Sequence, residues 1–232
     1  MAVDAFVMPL WRFKAGDFVT GVERLAGGVG NVTYFNFDAT LSVRSRRVGF
    51  FARRRARRDV IGIRKAVERA NNCAVEWHDE GATVYNAQLH DYTPLIDYVW
   101  WLDRRDLMPK FPHRKSDEEK RNFYGTARDR ASTFPHLAVV PFHSGYVLPC
   151  DFGRPIDVEP YMIFNTWPAA WKVVSAARLR VEIARVNETL NASADYQWTE
   201  GDPVGDVKVV FNRIREIVDL SCRHGLPAIF WG

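Results

Sequence analysis

The sequence predicts a single α+β domain over residues 1–232, with a mixed or antiparallel sheet packed against several helices. Two segments late in the chain repeat apolar residues with the 3.6-residue period of a helix, whereas shorter apolar runs have the character of strands. These helices and strands interleave without the regular βαβ repetition of a parallel sheet. The composition agrees, because 47% apolar and 26% charged residues are typical of a folded globular protein.

The first strand is predicted over residues 3–8, inside the sheet, because "VDAFVMPLW" is almost continuously apolar. The alternating run "NVTYFNF" (31–37) predicts a second strand. Two hairpins are predicted, one across 73–89 and one across 137–152 with Ser144 and Gly145 at its turn. "PAIFW", near the end, is predicted as a last strand or a buried tail.

The helix predictions rest on capping signals and apolar spacing. The clearest helix places Val207, Phe211 and Ile214 on one face and ends before Gly225. The predicted helices are 17–25, 51–71, one capped by Thr93 with Pro94 at its first position, a short one after Ser116 with Glu119 at capping-box spacing, 172–191 and 206–224.

The most strongly charged segment is "FFARRRARRDVIGIRKAVERANN" (50–72). Between Arg44 and Arg69, ten arginines and one lysine face two acids, a local charge of +9 in a chain whose total is +4. The helix over 51–71 carries a thin apolar face of small and β-branched residues and spreads charge around the rest of its circumference. Its charged interaction surface is predicted at Arg53, Arg54, Arg57 and Arg58.

Three interpretations of these arginines stay open. They can pair with the acids of the chain itself on a solvated helix, bind an acidic protein partner, or contact phosphates of a nucleic acid weakly. Nucleic acid is disfavoured because the chain has no zinc-finger, RNP-type or helix-turn-helix signature. A membrane surface is disfavoured because no Trp, Phe or Leu lies on the apolar face.

No cofactor or metal site is predicted. In "AGGVGNVT" the third glycine of a dinucleotide-binding loop is replaced by Thr33, and a strand-like run follows where a helix should begin. The histidines lack ligand-like spacing, although His78 beside Asp79 and Glu80 is conceivable as a weak metal site. His143 and Cys150 are expected about 13 Å apart along the predicted hairpin, too far for a catalytic dyad.

A ligand site, if there is one, is predicted within residues 142–171, where aromatic residues and prolines alternate with polar side chains. Asp151 and Arg154 are expected to share a pocket with Tyr161 and Trp167, and His143 is expected outside it. The alternative is that the aromatic residues of this region simply pack in the core.

The stretches "HSGYVLPCDFGRPI" and "CRHGLPAIFWG" resemble uncharacterised bacterial cytosolic proteins of unknown function. The resemblance covers part of the chain, implies a bacterial source, and brings no activity with it. A cytoplasmic location also agrees with three cysteines that include no CxxC pair, with a first segment unlike a signal peptide, and with the lack of any apolar run of roughly 18 residues.

Taken together, these features favour a non-catalytic binding or interaction protein, of an immunity or accessory type. The alternatives are an enzyme with a site near His143, Asp151 and Arg154, and a weak nucleic-acid binder acting through helix 51–71.

Overall fold

A six-stranded mixed sheet forms the centre of the fold in the computed structural model, which describes residues 3–18, 48–89, 92–106, 108–111, 131–139, 144–158 and 171–231. The strand order is β2-β1-β6-β3-β5-β4. The strands are β1 (Val3–Val7), β2 (Tyr85–Leu89), β3 (Ser144–Leu148), β4 (Ile156–Val158), β5 (Trp171–Ser175) and β6 (Ala228–Trp231).

The sheet is antiparallel except at one pair. Strand β1 lies between β2 and β6 and is antiparallel to both, and β6 is antiparallel to β3. Strands β3 and β5 run parallel, with Tyr146 opposite Val173, and β4 closes the edge antiparallel to β5. The predicted α+β class with a mixed sheet is therefore confirmed, as is the prediction that residues 3–8 form an interior strand.

Helices cover both faces of the sheet. Helices α3, α4 and α5 share one apolar cluster with Val3, Val147 and Phe230, while α1 and α2 share a second cluster with Phe6 and Ile229. Because side chains alternate along a strand, each central strand supplies residues to both clusters. The helices are α1 (Leu10–Lys14), α2 (Phe50–Asn71), α3 (Thr93–Leu102), α4 (Ala176–Leu190) and α5 (Gly205–His224), with a 3-10 turn at Leu137–Val139.

The predicted helices over 51–71 and 206–224 are confirmed as α2 and α5. The helix predicted over 172–191 begins only at Ala176, because the β-branched run before it forms strand β5 against β3. The Ser175 hydroxyl accepts a hydrogen bond from the Arg178 amide at 3.1 Å and so caps α4. The prediction that Thr93 caps α3 is off by one residue, since Thr93 is the first residue of the helix and Tyr92 occupies the N-cap position.

Both predicted hairpins are wrong. Residues 73–84 contain no strand, and β2 pairs with β1 instead. Residues 137–139 form the 3-10 turn, while Ser144 and Gly145, the expected turn, are the first residues of β3. In both cases the true partner strand is remote in sequence, so local alternation could not identify it.

Several predictions lie outside the described residues and are not assessed further. They are the strand over 31–37, the helix over 17–25 beyond Phe18, and the short helix after Ser116.

The close contact between α5 and residues 77–79 generates a stability prediction. Gly225 ends α5 at φ +63°, and a Cβ placed there would lie 2.4 Å from the Cδ2 atom of His78. The His78 amide also donates to the Gly225 carbonyl at 2.8 Å, which holds the two segments together. Gly225→Ala should destabilise the protein by at least about 1–2 kcal/mol, from the left-handed backbone alone.

The double variant His78→Ala, Gly225→Ala separates the two causes, since it removes the clash and retains the backbone strain. Urea unfolding should show a smaller effect of Gly225→Ala in the His78→Ala background than in the wild-type background. Equal effects in both backgrounds would contradict the close contact.

Candidate functional site

Helix α2 packs on the sheet through a narrow face. Ala56, Val60, Ile63 and Val67 are its buried residues, in agreement with the predicted face. Gly49 precedes the helix and Asn72 ends it in the left-handed conformation. Because the buried side chains are small or β-branched, α2 lies close to the rest of the protein. The arginines beside this face therefore lie close to neighbouring segments.

Three arginines on one flank of α2 pack onto this protein's own aromatic residues. The Arg53 and Arg57 guanidinium groups lie 5.7 and 5.4 Å from the centre of the Trp11 ring. The Arg64 guanidinium lies 4.5 Å from the centre of the Trp77 ring. Such cation–π contacts stabilise a fold by about 0.5–1 kcal/mol each at exposed sites.

Arg57 also pairs with Glu80, at 2.6 Å between Nη2 and Oε1. Both side chains are more than half exposed, so the pair contributes little to stability. It does fix Arg57 in place, however. Of the four arginines predicted as an interaction surface, Arg53 and Arg57 therefore have contacts within the protein itself.

The remaining two, Arg54 and Arg58, project away from the protein. With Lys65 they lie within about 40° of one another, opposite the buried face. They are exposed and form no ion pair with any residue in the described ranges. Three apolar residues stand beside them: Phe50 and Phe51 are 72% and 82% exposed, and Ile61 is 53% exposed. The outer surface of α2 is defined here as Phe50, Phe51, Arg54, Arg58, Ile61 and Lys65.

The second predicted site lies in the loop after β3. The Asp151 carboxylate pairs with Arg178 of α4 at 2.6 Å, and both side chains are at least half exposed. Arg154 is held through its backbone, since its amide donates to Asn71 Oδ1 at 2.7 Å and its carbonyl accepts from Asn71 Nδ2 at 3.2 Å. Asp151 and Arg154 thus share a loop, but Asp151 is paired with a different arginine.

Tyr161, Trp167 and His143, the other members of that predicted site, lie outside the described residues. The proposed grouping of Asp151 and Arg154 with Tyr161 and Trp167 stays a prediction. Sequence spacing missed Arg178 because it approaches Asp151 only through the pairing of β3 with β5.

His136 is the buried polar residue that organises this region. Its Nδ1 accepts from the Ser175 amide at 3.1 Å, which leaves Nε2 to donate to the Gly153 carbonyl at 3.2 Å. Burial lowers the pKa of His136. With both nitrogens engaged and the ring neutral, this histidine braces the loop rather than transferring protons.

The Glu182 carboxylate completes the network. It accepts hydrogen bonds from the amides of His136 and Leu137, at 3.1 and 2.6 Å, and so holds the start of the 3-10 turn against α4. Burial raises the pKa of Glu182, and the two amide hydrogen bonds partly oppose that shift. The helical position of Glu182 alone does not reveal the turn that covers its side chain.

Cys150 lacks the environment of a nucleophile. Burial raises the pKa of its thiol to about 12, and Cys73 nearby adds to the shift. The thiol is therefore protonated at neutral pH, whereas a reactive cysteine needs a stabilised thiolate.

The residues His78, Asp79 and Glu80 each have another role. The Asp79 carboxylate accepts from the Leu10 amide at 2.9 Å and caps α1, Glu80 pairs with Arg57, and the His78 ring lies over Gly225. Burial raises the pKa of Asp79. No three His, Cys, Asp or Glu side chains of the described residues are grouped so that they could hold a metal ion.

In comparisons with known proteins, no family model, no curated protein and no solved structure matches this chain. None of the helices in the described ranges is both long enough and apolar enough to cross a membrane.

His136 generates a prediction for stability and its pH dependence. His136→Ala would leave the Ser175 amide and the Gly153 carbonyl without partners and remove a ring that packs against Phe152. We expect a loss of about 2–4 kcal/mol in the free energy of unfolding. His224→Ala, at the exposed end of α5, is the control and should have a much smaller effect.

The pKa of His136 is lower in the folded protein than its ordinary value of 6.5, so the unfolded chain binds the proton more readily. Wild-type stability should therefore fall as pH decreases below about 6.5. Urea unfolding from pH 7.5 to 5 measures this, and the fall should be shallower in His136→Ala. Parallel curves for the two proteins would show that His136 does not stay neutral in the folded state.

Proposed function

We propose that this chain is a non-catalytic binding protein whose outer surface of α2 contacts an acidic protein partner. The observation that carries the proposal is the exposure of Arg54 and Arg58, without ion pairs to described residues, beside the exposed rings of Phe50 and Phe51. Arginine and aromatic side chains are the types enriched where proteins bind one another. The role is that of an immunity-type or accessory protein, and the sequence resemblance suggests a bacterial cytosol as its location.

An acidic protein fits this surface better than a nucleic acid does. Binding to phosphates is driven by the number of free cations. Arg53, Arg57 and Arg64 are committed to Trp11, Trp77 and Glu80, which leaves few cations on the outer surface. The rings of Phe50 and Phe51 would bury little apolar surface against a phosphate backbone. They would pack against the apolar side chains of an amphipathic acidic segment.

The polar residues near Asp151 support a binding role rather than catalysis. Both ring nitrogens of His136, both carboxylate oxygens of Glu182 and the hydroxyl of Ser175 are occupied by hydrogen bonds within the protein. A general acid or base needs a free atom directed at its substrate. An enzyme site near His143, Asp151 and Arg154, which is the alternative, would need a general acid or base other than the three hydrogen-bonded residues named above.

The test uses a synthetic acidic peptide with leucines at i, i+3 and i+4 spacing, and a second peptide in which each leucine is replaced by serine. The wild-type protein should bind the leucine peptide more tightly, because only that peptide can cover Phe50 and Phe51. Arg54→Glu, Arg58→Glu should weaken binding about tenfold or more, since both charge contacts reverse. Fluorescence anisotropy in about 150 mM salt measures the affinities.

The matched control is Arg105→Glu, Lys110→Glu, which makes the same change in net charge at exposed positions beyond α3. It should leave peptide binding unchanged. A 20-base-pair DNA duplex serves as the competing probe. Contact with about five phosphates would weaken duplex binding about 500-fold between 50 and 200 mM salt, a slope near −4.5.

We expect only weak association with the duplex at low salt. Tight duplex binding at physiological salt, lost in Arg54→Glu, Arg58→Glu, would replace the proposal with the nucleic-acid alternative. Equal binding of the two peptides, or equal loss in the control variant, would also overturn it.

A further inference from the structure

The connection between α4 and α5 carries a concentrated negative charge. Residues 187–206 contain five acids and no lysine or arginine, the acids being Glu188, Asp195, Glu200, Asp202 and Asp206. Asp202 is neutralised by Lys208, at 3.0 Å between Oδ2 and Nζ. Asp195 and Glu200 are exposed, and their side chains form no ion pair or hydrogen bond with another residue of the described ranges. This connection therefore presents unpaired carboxylates to solvent.

Trp198, in the same connection, is 57% exposed and yet fixed in position. Its indole Nε1 donates to Asp206 Oδ1 at 2.9 Å, and its Cδ1 atom lies 3.4 Å from where a Cβ on Gly205 would stand. Val209 follows Gly205 by one helical turn and is 38% exposed, which extends the apolar surface along α5. A ring that is already fixed loses little conformational entropy when a partner covers it. The acidic surface is defined here as Asp195, Trp198, Glu200 and Val209.

The neighbouring Tyr196 shows how such groups hold a cation. The Lys208 Nζ atom lies 4.9 Å from the centre of the Tyr196 ring, and the same amine pairs with Asp202. An aromatic ring and a carboxylate thus bind one ammonium together. Trp198 and the carboxylates near it offer the same two kinds of group, and no cation of the described residues lies over its ring. Since tryptophan gives the strongest cation–π contacts, this position suits a cation from another molecule.

The outer surface of α2 has the complementary chemistry. Its Arg54, Arg58 and Lys65 are exposed cations without ion pairs to described residues, and the Phe50 and Phe51 rings beside them are exposed. Free cations with exposed rings therefore match free carboxylates with an exposed indole. Two outer surfaces of α2 could not pair with each other in this way, because their like charges would repel.

The two surfaces lie on opposite sides of the sheet. Helix α2 packs in the apolar cluster that contains Phe6 and Ile229, whereas α4 and α5 pack in the cluster that contains Val3 and Val147. The outer surface of α2 therefore cannot reach the acidic surface of its own molecule, and the two can meet only between molecules.

We propose that the acidic partner of α2 is a second copy of this chain, which docks through its acidic surface. This inference rests on the proposed function, since it identifies the partner of the same helix. Arg54 and Arg58 of one copy would pair with Asp195 and Glu200 of the next, and the Trp198 ring would pack against the exposed phenyl rings. Because the contact joins two different surfaces, each copy keeps one of them free, and assembly continues head to tail beyond two copies.

The first experiment measures self-association of the full chain by sedimentation velocity, from about 1 to 300 µM protein in about 150 mM salt. The average mass should rise with protein concentration and fall as salt is added, because salt screens exposed charges. Arg54→Glu, Arg58→Glu and, separately, Trp198→Ala should each weaken self-association about tenfold or more. Trp198→Phe is the matched control, since it keeps an aromatic ring, and it should retain most of the association.

Mixing the two defective proteins tests the head-to-tail contact directly. Trp198→Ala retains an intact outer surface of α2, and Arg54→Glu, Arg58→Glu retains an intact acidic surface. An equimolar mixture should therefore form one contact and stop at two copies. A mixture that associates no better than its components, or one that grows beyond two copies, would contradict the proposed contact.

A charge exchange controls for net charge. The variant Arg54→Glu, Arg58→Glu, Asp195→Lys, Glu200→Lys reverses both surfaces and keeps the net charge of +4. It should associate more strongly than Arg54→Glu, Arg58→Glu, because the reversed surfaces are complementary again. Equal or weaker association of the exchanged protein would overturn the inference.

The acidic leucine peptide separates this inference from the proposed function. It should dissociate the assembled wild-type protein, because it competes for the outer surface of α2. If the full chain stays monomeric at about 300 µM while the peptide still binds, the second copy is not the partner and the proposed function stands. If neither the peptide nor a second copy binds, both proposals are wrong.

Discussion

The central strands of this protein must bury both of their faces, and most of the structure follows from that requirement. Strand β1 is buried at all five positions, and β3 and β6 direct large side chains such as Tyr146 and Phe230 to opposite sides. Such strands are stable only when helices cover both faces, since an exposed apolar face would lose the free energy gained by burial. Within the described ranges, three helices meet this need on one side and two on the other.

The two sides are not equivalent. Helices α4 and α5 have wide apolar faces with Leu179, Phe211 and Ile214, and together with α3 they fill their layer. Helix α2 contributes only four buried residues, so the segments around it complete its layer. The guanidinium groups of the flanking arginines lie over the Trp11 and Trp77 rings, and in this way charged residues cover aromatic side chains beside the narrow apolar face. The arginines that have no such aromatic beneath them point to solvent.

This arrangement also explains what the sequence could and could not predict. Periodicity was sufficient for α2 and α5, and the continuous apolar character of residues 3–8 correctly placed β1 in the interior. Helical spacing could not predict which arginines pack against the protein and which face solvent. That depends on Trp11 and Trp77, which lie outside the helix. The role of His136 could not be predicted, since its partners Ser175 and Gly153 approach it through the fold and not through the local sequence. The two hairpin predictions were wrong for the same reason, because the true partner strands are remote in sequence.

The strand order has a consequence for how the chain folds as it is synthesised. Strand β6 follows the other five described strands along the chain, yet it lies in the middle of the sheet, between β1 and β3. Until it arrives, β1 with β2 and β3 with β5 form two separate pieces, each with an unpaired interior edge. Such edges readily pair with other chains, and contacts between distant segments form slowly. The six-stranded sheet therefore closes only after β6 has been synthesised, and until then the two pieces expose edges that can pair with other chains.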